Sequence, residues 1–145
     1  MAEKTPQTYA NHSRLDPPFH IVQGPLGMIA VILSLILFFR SPSLASVLWL
    51  ILAVGFLMGT FRMRIYALKV QDRVIRLEER LRLAMLLPES AKPRIGELTE
   101  RQLIALRFAS DAELPALAMR ALDDGLSNKQ IKSAIQNWRG DYFRV

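Results

Sequence analysis

"LGMIAVILSLILFFRSPSLASVLWLILAVGFLMGTF", residues 26 to 61, decides the fold. Its only charge is Arg40, and the short break Arg40, Ser41, Pro42 and Ser43 divides it into two apolar runs. A helix needs roughly 20 apolar residues to cross a bilayer core of about 30 Å. Residues 44–61 fit that length directly, and residues 26–39 reach it by including Ile21 to Pro25. Every backbone group in lipid must be paired, and a helix pairs them within itself. Two spans, about 21–39 and 44–61, joined by a tight turn, make a transmembrane hairpin the expected structure of 21–61. A cleaved signal peptide is the rival reading of the first run, with "SLAS" at 43–46 offering small residues. The polar leader of residues 1–20 and Arg40 close to the cleavage point speak against it.

The chain has 145 residues, enough for one modest domain or a few small modules. It contains no cysteine, which excludes disulfides, thiolate chemistry and Cys-based zinc sites. Lysine and arginine near the spans set orientation. Lys4 and Arg14 precede the first span and Arg40 lies in the turn, whereas Arg62, Arg64, Lys69, Arg73, Arg76 and Arg80 follow the second. Both termini are therefore expected on the cytoplasmic side of an inner (plasma) membrane. The formal charge of +6 follows mostly from this bias and points to anionic lipid headgroups before nucleic acid.

The second span does not stop at the membrane surface. From Arg62 to Leu87 neither Gly nor Pro interrupts the chain, and Pro88 supplies the break. Residues 62–87 are thus expected as a coiled-coil-like cytosolic helix, and Leu44–Leu87 as one helix about 65 Å long. Met63, Ala67, Val70, Val74, Leu77, Leu81 and Ala84 alternate spacings of four and three, a heptad seam. Asp72 with Arg76, and Glu78 with Arg82, stand at i,i+4. Two coverings are open for this seam: the chain's own C-terminal segment folded back, or a partner chain. Gly55 and Gly59 form a GxxxG pair, with packing inside the hairpin favoured over dimerisation.

Residues 88–97, "PESAKPRIGE", read as a linker, and 98–145 as a small three-helix unit. Thr99 with Gln102 and Ser127 with Gln130 form capping boxes. Ser110 or Asp111 is placed to cap the middle helix and Gly125 to end it. Leu103, Ile104, Leu106, Phe108, Leu114, Leu117, Ala118, Leu122, Ile131, Ile135 and Trp138 are the expected core. The terminus "NWRGDYFRV" reads first as core closure, with Trp138 sealing the helices above Tyr142 and Phe143. The alternative is a partner anchor made by Tyr142, Phe143, Arg144 and the Val145 carboxylate.

Motifs for catalysis are missing: there is no HExxH, no Gly-rich phosphate loop and no nucleophile elbow. His12 and His20 stand in the leader "QTYANHSRLDPPFH" (7–20) without regular metal-ligand spacing, even with Asp16 as a third ligand. His20 precedes the first span and could ligate a haem or other tetrapyrrole in an energy-transducing complex, although an interfacial anchor is the commoner role. Pro17, Pro18 and Pro25 predict a stiff, extended approach to the membrane. "LTERQLIALRF" and "DGLSNKQIKSAI" resemble the helix-turn-helix of response-regulator transcription factors. Here a whole helix intervenes, no basic recognition helix follows, and seven basic residues face five acidic ones between Arg101 and Val145.

"KTPQTYANHSRLDPPFH" (4–20), "LTERQLIALRFASDAELPALAMRAL" (98–122) and "IKSAIQNWRGDYFRV" (131–145) together resemble an uncharacterised bacterial family of small two-span inner-membrane proteins. The resemblance covers nearly the whole chain and implies a membrane hairpin with a cytosolic helical tail. It implies no activity. Gly140 departs from the proline expected there and should loosen the final turn. The expected protein is all-α, has no enzymatic activity and no cofactor, and works as an accessory or scaffolding subunit of a membrane complex. Its partners would be lipids and a protein, a second copy included. The leader residues Tyr9, Asn11, His12, Arg14, Phe19 and His20 are expected to meet the partner. So are Val70, Val74, Leu77 and Leu81 of the seam, and Trp138, Arg139, Tyr142 and Phe143 of the tail. A membrane-tethered regulator whose tail binds nucleic acid or a signalling protein is the competing class.

Overall fold

A computed structural model describes residues 6–12 and 16–142, so Arg14 and Phe143 lie outside the described residues. The described residues are helical, with no strand beyond an isolated antiparallel bridge between Ala109 and Trp138. The chain divides into two compact units: residues 14–69, and residues 1–13 with 70–144.

The first unit begins with a wide π-helical turn, Pro18–Gln23, that runs into α1 (Gly24–Arg40). The leader is therefore helical from Pro18, not extended as its prolines predict. Pro18 and Pro25 both fall in first turns, where a missing N–H costs little, and the Gly24 N–H joins the two helices by donating to the Phe19 carbonyl. α2 (Leu44–Leu86) follows after Ser41–Ser43. Its start is fixed by reciprocal bonds: the Ser46 N–H donates to Ser43 Oγ at 3.1 Å and the Ser43 N–H to Ser46 Oγ at 2.9 Å. A Cβ on Gly27 of α1 would collide with Leu57 of α2, so glycine permits that close approach. At Gly55 and Gly59 a Cβ would meet nothing within 4 Å. The small-residue contact between these helices is thus made by Gly27, and the GxxxG pair faces away from it. The helical run Pro18–Arg40, made of the π-helical turn and α1, and α2 are each long and apolar enough to cross a membrane, and only 11% and 6% of their apolar windows are buried.

The second unit is built around the last part of α2. Pro88 ends that helix, and the expected linker is instead a turn and a 3-10 helix, Lys92–Glu97, whose Ala91 and Ile95 pack on the core. α3 (Glu100–Leu106), α4 (Leu114–Asp123) and α5 (Asn128–Ala134) follow. Both expected capping boxes form, at Thr99–Gln102 and Ser127–Gln130, and Gly125 ends α4 at φ +61°. α4 has no side-chain cap; the Ser110 carbonyl accepts from the Glu113 and Leu114 N–H groups instead. Asp111 is turned elsewhere, onto Arg82.

Leu83, Leu103, Leu106, Phe108, Leu114 and Ile131 are the largest apolar side chains shut fully inside. The expected core is recovered except for Ile104, which is only half-buried, with Leu122 and Trp138 half-buried at its margin. Leu83 of α2 and Leu87 just past its end complete it, so residues 70–87 are not a separate coiled-coil segment but one wall of this unit. Gln102 fastens the centre: its Nε2 donates to the carbonyls of Ala121 (2.9 Å) and Leu126 (3.2 Å).

Candidate functional site

The last part of α2 shows two unlike faces. The face turned into its own unit carries Ile75, Glu79, Arg82 and Leu83, all buried. Arg82 is bound on every side. Its Nη1 pairs with Glu79 Oε2 at 3.1 Å, its Nε with Asp111 Oδ1 at 2.6 Å, and its Nη2 donates to the Ala109 carbonyl at 2.7 Å. Arg139 Nη1 stands 3.8 Å from the other Glu79 oxygen. Burial, the largest influence, raises the Glu79 carboxyl above its ordinary value against the opposite pull of Arg82 and Arg139. The i,i+4 pairs expected along this helix do not form. Arg82 takes Glu79 and Asp111 in place of Glu78, and Arg76 pairs with Glu100 while its Nε reaches only the Asp72 carbonyl.

The opposite face is the heptad seam, and the chain leaves it open. Val70, Val74, Leu77 and Leu81 are 62%, 49%, 60% and 57% exposed. Of the two coverings open from sequence, the folded-back tail is present but lies on the other side of the helix. Four large apolar side chains one helical turn apart form a continuous exposed ladder, of the kind found where proteins meet.

The leader is folded onto the second unit. Gln7 Nε2 donates to the Asp141 carbonyl at 3.2 Å, and the Asp141 N–H donates to Gln7 Oε1 at 2.9 Å. His12 lies among rings, with centroids 5.8 Å from Phe108, 5.6 Å from Trp138 and 5.8 Å from Tyr9. Its Nδ1 is 2.7 Å from the Tyr9 carbonyl and its Nε2 is 3.2 Å from Lys132 Nζ. An Nδ1–H tautomer satisfies both, donating to the carbonyl and accepting from the ammonium. Asn11 serves a local turn, its Oδ1 accepting from the Thr8 N–H at 2.6 Å and its Nδ2 donating to the Pro6 carbonyl at 3.0 Å. Trp138 packs against Phe108 at 5.2 Å, while Arg139 and Tyr142 remain exposed. A Cβ at Gly140 would strike the Tyr142 ring, so this glycine makes room for that ring.

In the first unit, the described residues near the ends of the two apolar runs form a polar and aromatic cluster. Arg64 Nη1 pairs with Asp16 Oδ2 at 3.0 Å, and the Arg64 Cζ lies 5.6 Å from the Phe19 centroid. Phe19 meets Phe61 edge-on at 5.5 Å. His20 Nδ1 faces the Asp16 backbone, 2.9 Å from its carbonyl. Ala30, Leu33, Ser34, Leu37, Trp49, Leu52, Ala53 and Phe56 line an open apolar groove of about 370 Å³. No group of three or more His, Asp or Glu side chains among the described residues is arranged to hold a metal.

Sequence reasoning named the ladder and the leader residues as contacts. It missed the buried Glu79–Arg82–Asp111 network, the Gln7–Asp141 pair and the role of Glu113. That carboxylate accepts from the backbone N–H groups of Gln136 (3.2 Å) and Asn137 (2.8 Å) and from Asn137 Nδ2 (2.7 Å). Apart from Glu79 and Arg82, which stand at i,i+3, these partners lie 23 to 134 positions apart in sequence, and no local spacing announces them.

The chain belongs to a family of unknown function, DUF6526, whose profile matches residues 1–145. No curated protein and no solved structure matches it.

Proposed function

We propose that this chain is a two-span inner-membrane protein, with both termini cytoplasmic, that acts by assembly rather than catalysis. In this reading α1 and the start of α2 form a hairpin in lipid. The distal part of α2 and the folded tail then serve as a scaffolding subunit for a larger complex. The observation that carries it is the exposed ladder Val70, Val74, Leu77 and Leu81 on a helix already held by its other face. An apolar stripe of that kind, outside the spans, is an association surface.

The membrane assignment draws support from exposure. The core helix of a water-soluble fold is mostly covered, whereas these two apolar windows are only 11% and 6% buried. Gly27 against Leu57, Phe19 against Phe61 and Asp16 against Arg64 fit an antiparallel pair of spans. Gln7 and Asp141 share two hydrogen bonds, which supports a topology with the early and late segments on one side of the membrane. That arrangement requires an even number of crossings, and two satisfy it. The lysine and arginine bias then assigns the common side to the cytoplasm.

Carbonate extraction of membranes tests the first part; release of the protein into the soluble fraction would refute it. Mild crosslinking of the detergent-solubilised full-length chain, followed by mass spectrometry, tests the second. A stoichiometric crosslinked species is expected, and recovery of monomer only would remove the scaffolding role.

A further inference from the structure

We propose that the exposed ladder of α2 is covered by the same ladder of a second copy of this chain, as a parallel two-stranded coiled coil. This deepens the assembly reading and rests on it; the parallel sense rests on the membrane assignment as well. The argument begins with heptad positions. With Val74 and Leu81 at a, and Val70 and Leu77 at d, Ile75 and Arg82 fall at b, Leu83 at c, and Glu79 at f. Those b, c and f positions are the ones buried by the chain's own helices. They also point away from the partner in a coiled coil, so the tail and a second copy do not compete for the helix. Val at a followed by Leu at d, as in Val74 and Leu77, favours two strands.

Charge chooses the occupant and its direction. Arg73 and Arg80 stand at g and Glu78 at e, all exposed, and none makes an ion pair among the described residues. In a parallel, in-register pair a g residue faces the e residue of the next heptad. Arg73 then meets Glu78 of the second copy, twice by symmetry. An antiparallel pair would set Arg73 against Arg80. The membrane imposes the same answer, since two copies inserted with one topology present α2 in the same direction. Two heptads are short for a free coiled coil. Here the helix is already folded by its covered face, so little ordering entropy remains to be lost. Confinement to a membrane also raises the effective concentration.

The natural absence of cysteine gives a clean background for the test. Val70→Cys, Val74→Cys, Leu77→Cys and Leu81→Cys, each in the full-length protein in membranes, would be oxidised with copper–phenanthroline. Lys129→Cys on the exposed side of α5 is the control. Dimers of twice the chain mass are expected from the four ladder positions and not from the control. In a proximity assay on the same membranes, Arg73→Glu or Glu78→Arg alone should weaken self-association roughly tenfold, since two attractive pairs become repulsive. The double variant R73E/E78R should restore it. Unchanged hydrogen exchange in α3–α5 identifies variants that still fold. A ladder cysteine that crosslinks only to a protein of another mass overturns the second copy while leaving the assembly reading intact. Crosslinks of no mass at all overturn both. Failure of the double variant to recover overturns the parallel register.

Discussion

The two faces of α2 beyond residue 70 reverse the usual order. The covered face includes Glu79 and Arg82, both charged, while the open face offers Val70, Val74, Leu77 and Leu81. Apolar burial at about 25 cal/mol per Å² rewards covering either face, since Ile75 and Leu83 sit on the covered one, and does not choose between them. What holds it is geometric matching: one guanidinium satisfied by two carboxylates and a carbonyl, next to Leu83 sunk completely in the core. A buried ion pair is a poor source of net stability but penalises every arrangement that breaks it. The pair therefore specifies which face the tail takes, and leaves the more adhesive face available.

That contrast can be broken from either side. The largest effect is expected from Arg82→Ala, which strands the buried Glu79 carboxylate. A loss of about 4 kcal/mol is expected, measured as the denaturant midpoint of the solubilised chain. Leu83→Ala follows at about 3 kcal/mol, since the side chain is fully buried and its removal leaves a cavity. Glu79→Gln sharpens the electrostatic part. Because burial raises the Glu79 carboxyl above its ordinary value, the folded state binds its proton more readily than the unfolded chain. That contribution is present below the ordinary carboxylate range and is lost as pH rises through the raised value. The stability of the wild type relative to Glu79→Gln should therefore increase as pH falls from neutrality toward 4.5, read as the difference in Tm at each pH. The smallest effect belongs to the open face. Leu77→Asn and Leu81→Asn should change the stability of the single chain by only about 0.5 kcal/mol, with hydrogen exchange in α3–α5 unaltered.

Much of this architecture was legible from local signals. Charge-free runs give the span-length helices, the two Ser/Thr–Gln boxes fix helix starts, and Gly125 marks a left-handed end. The ladder was legible too, as a seam of alternating four and three. Its exposure was not, because α2 carries apolar residues on both sides and periodicity cannot say which side the tail will choose. That choice depends on Arg82 finding Asp111, 29 positions away. The prolines misled for a related reason. Proline forbids an interior N–H bond, yet in a first turn no such bond is needed, and Pro18 begins a helix. The i,i+4 charge pairs failed because longer-range partners with better burial outbid them.

The two hydrogen bonds between Gln7 and Asp141 close the chain into a ring without a covalent bond. A substitution at Gln7 alters the same patch as a change near residue 141, with His12 beneath it against Phe108 and Trp138. Reporter fragments inserted beside Gln7 and beside Asp141 would start out as neighbours.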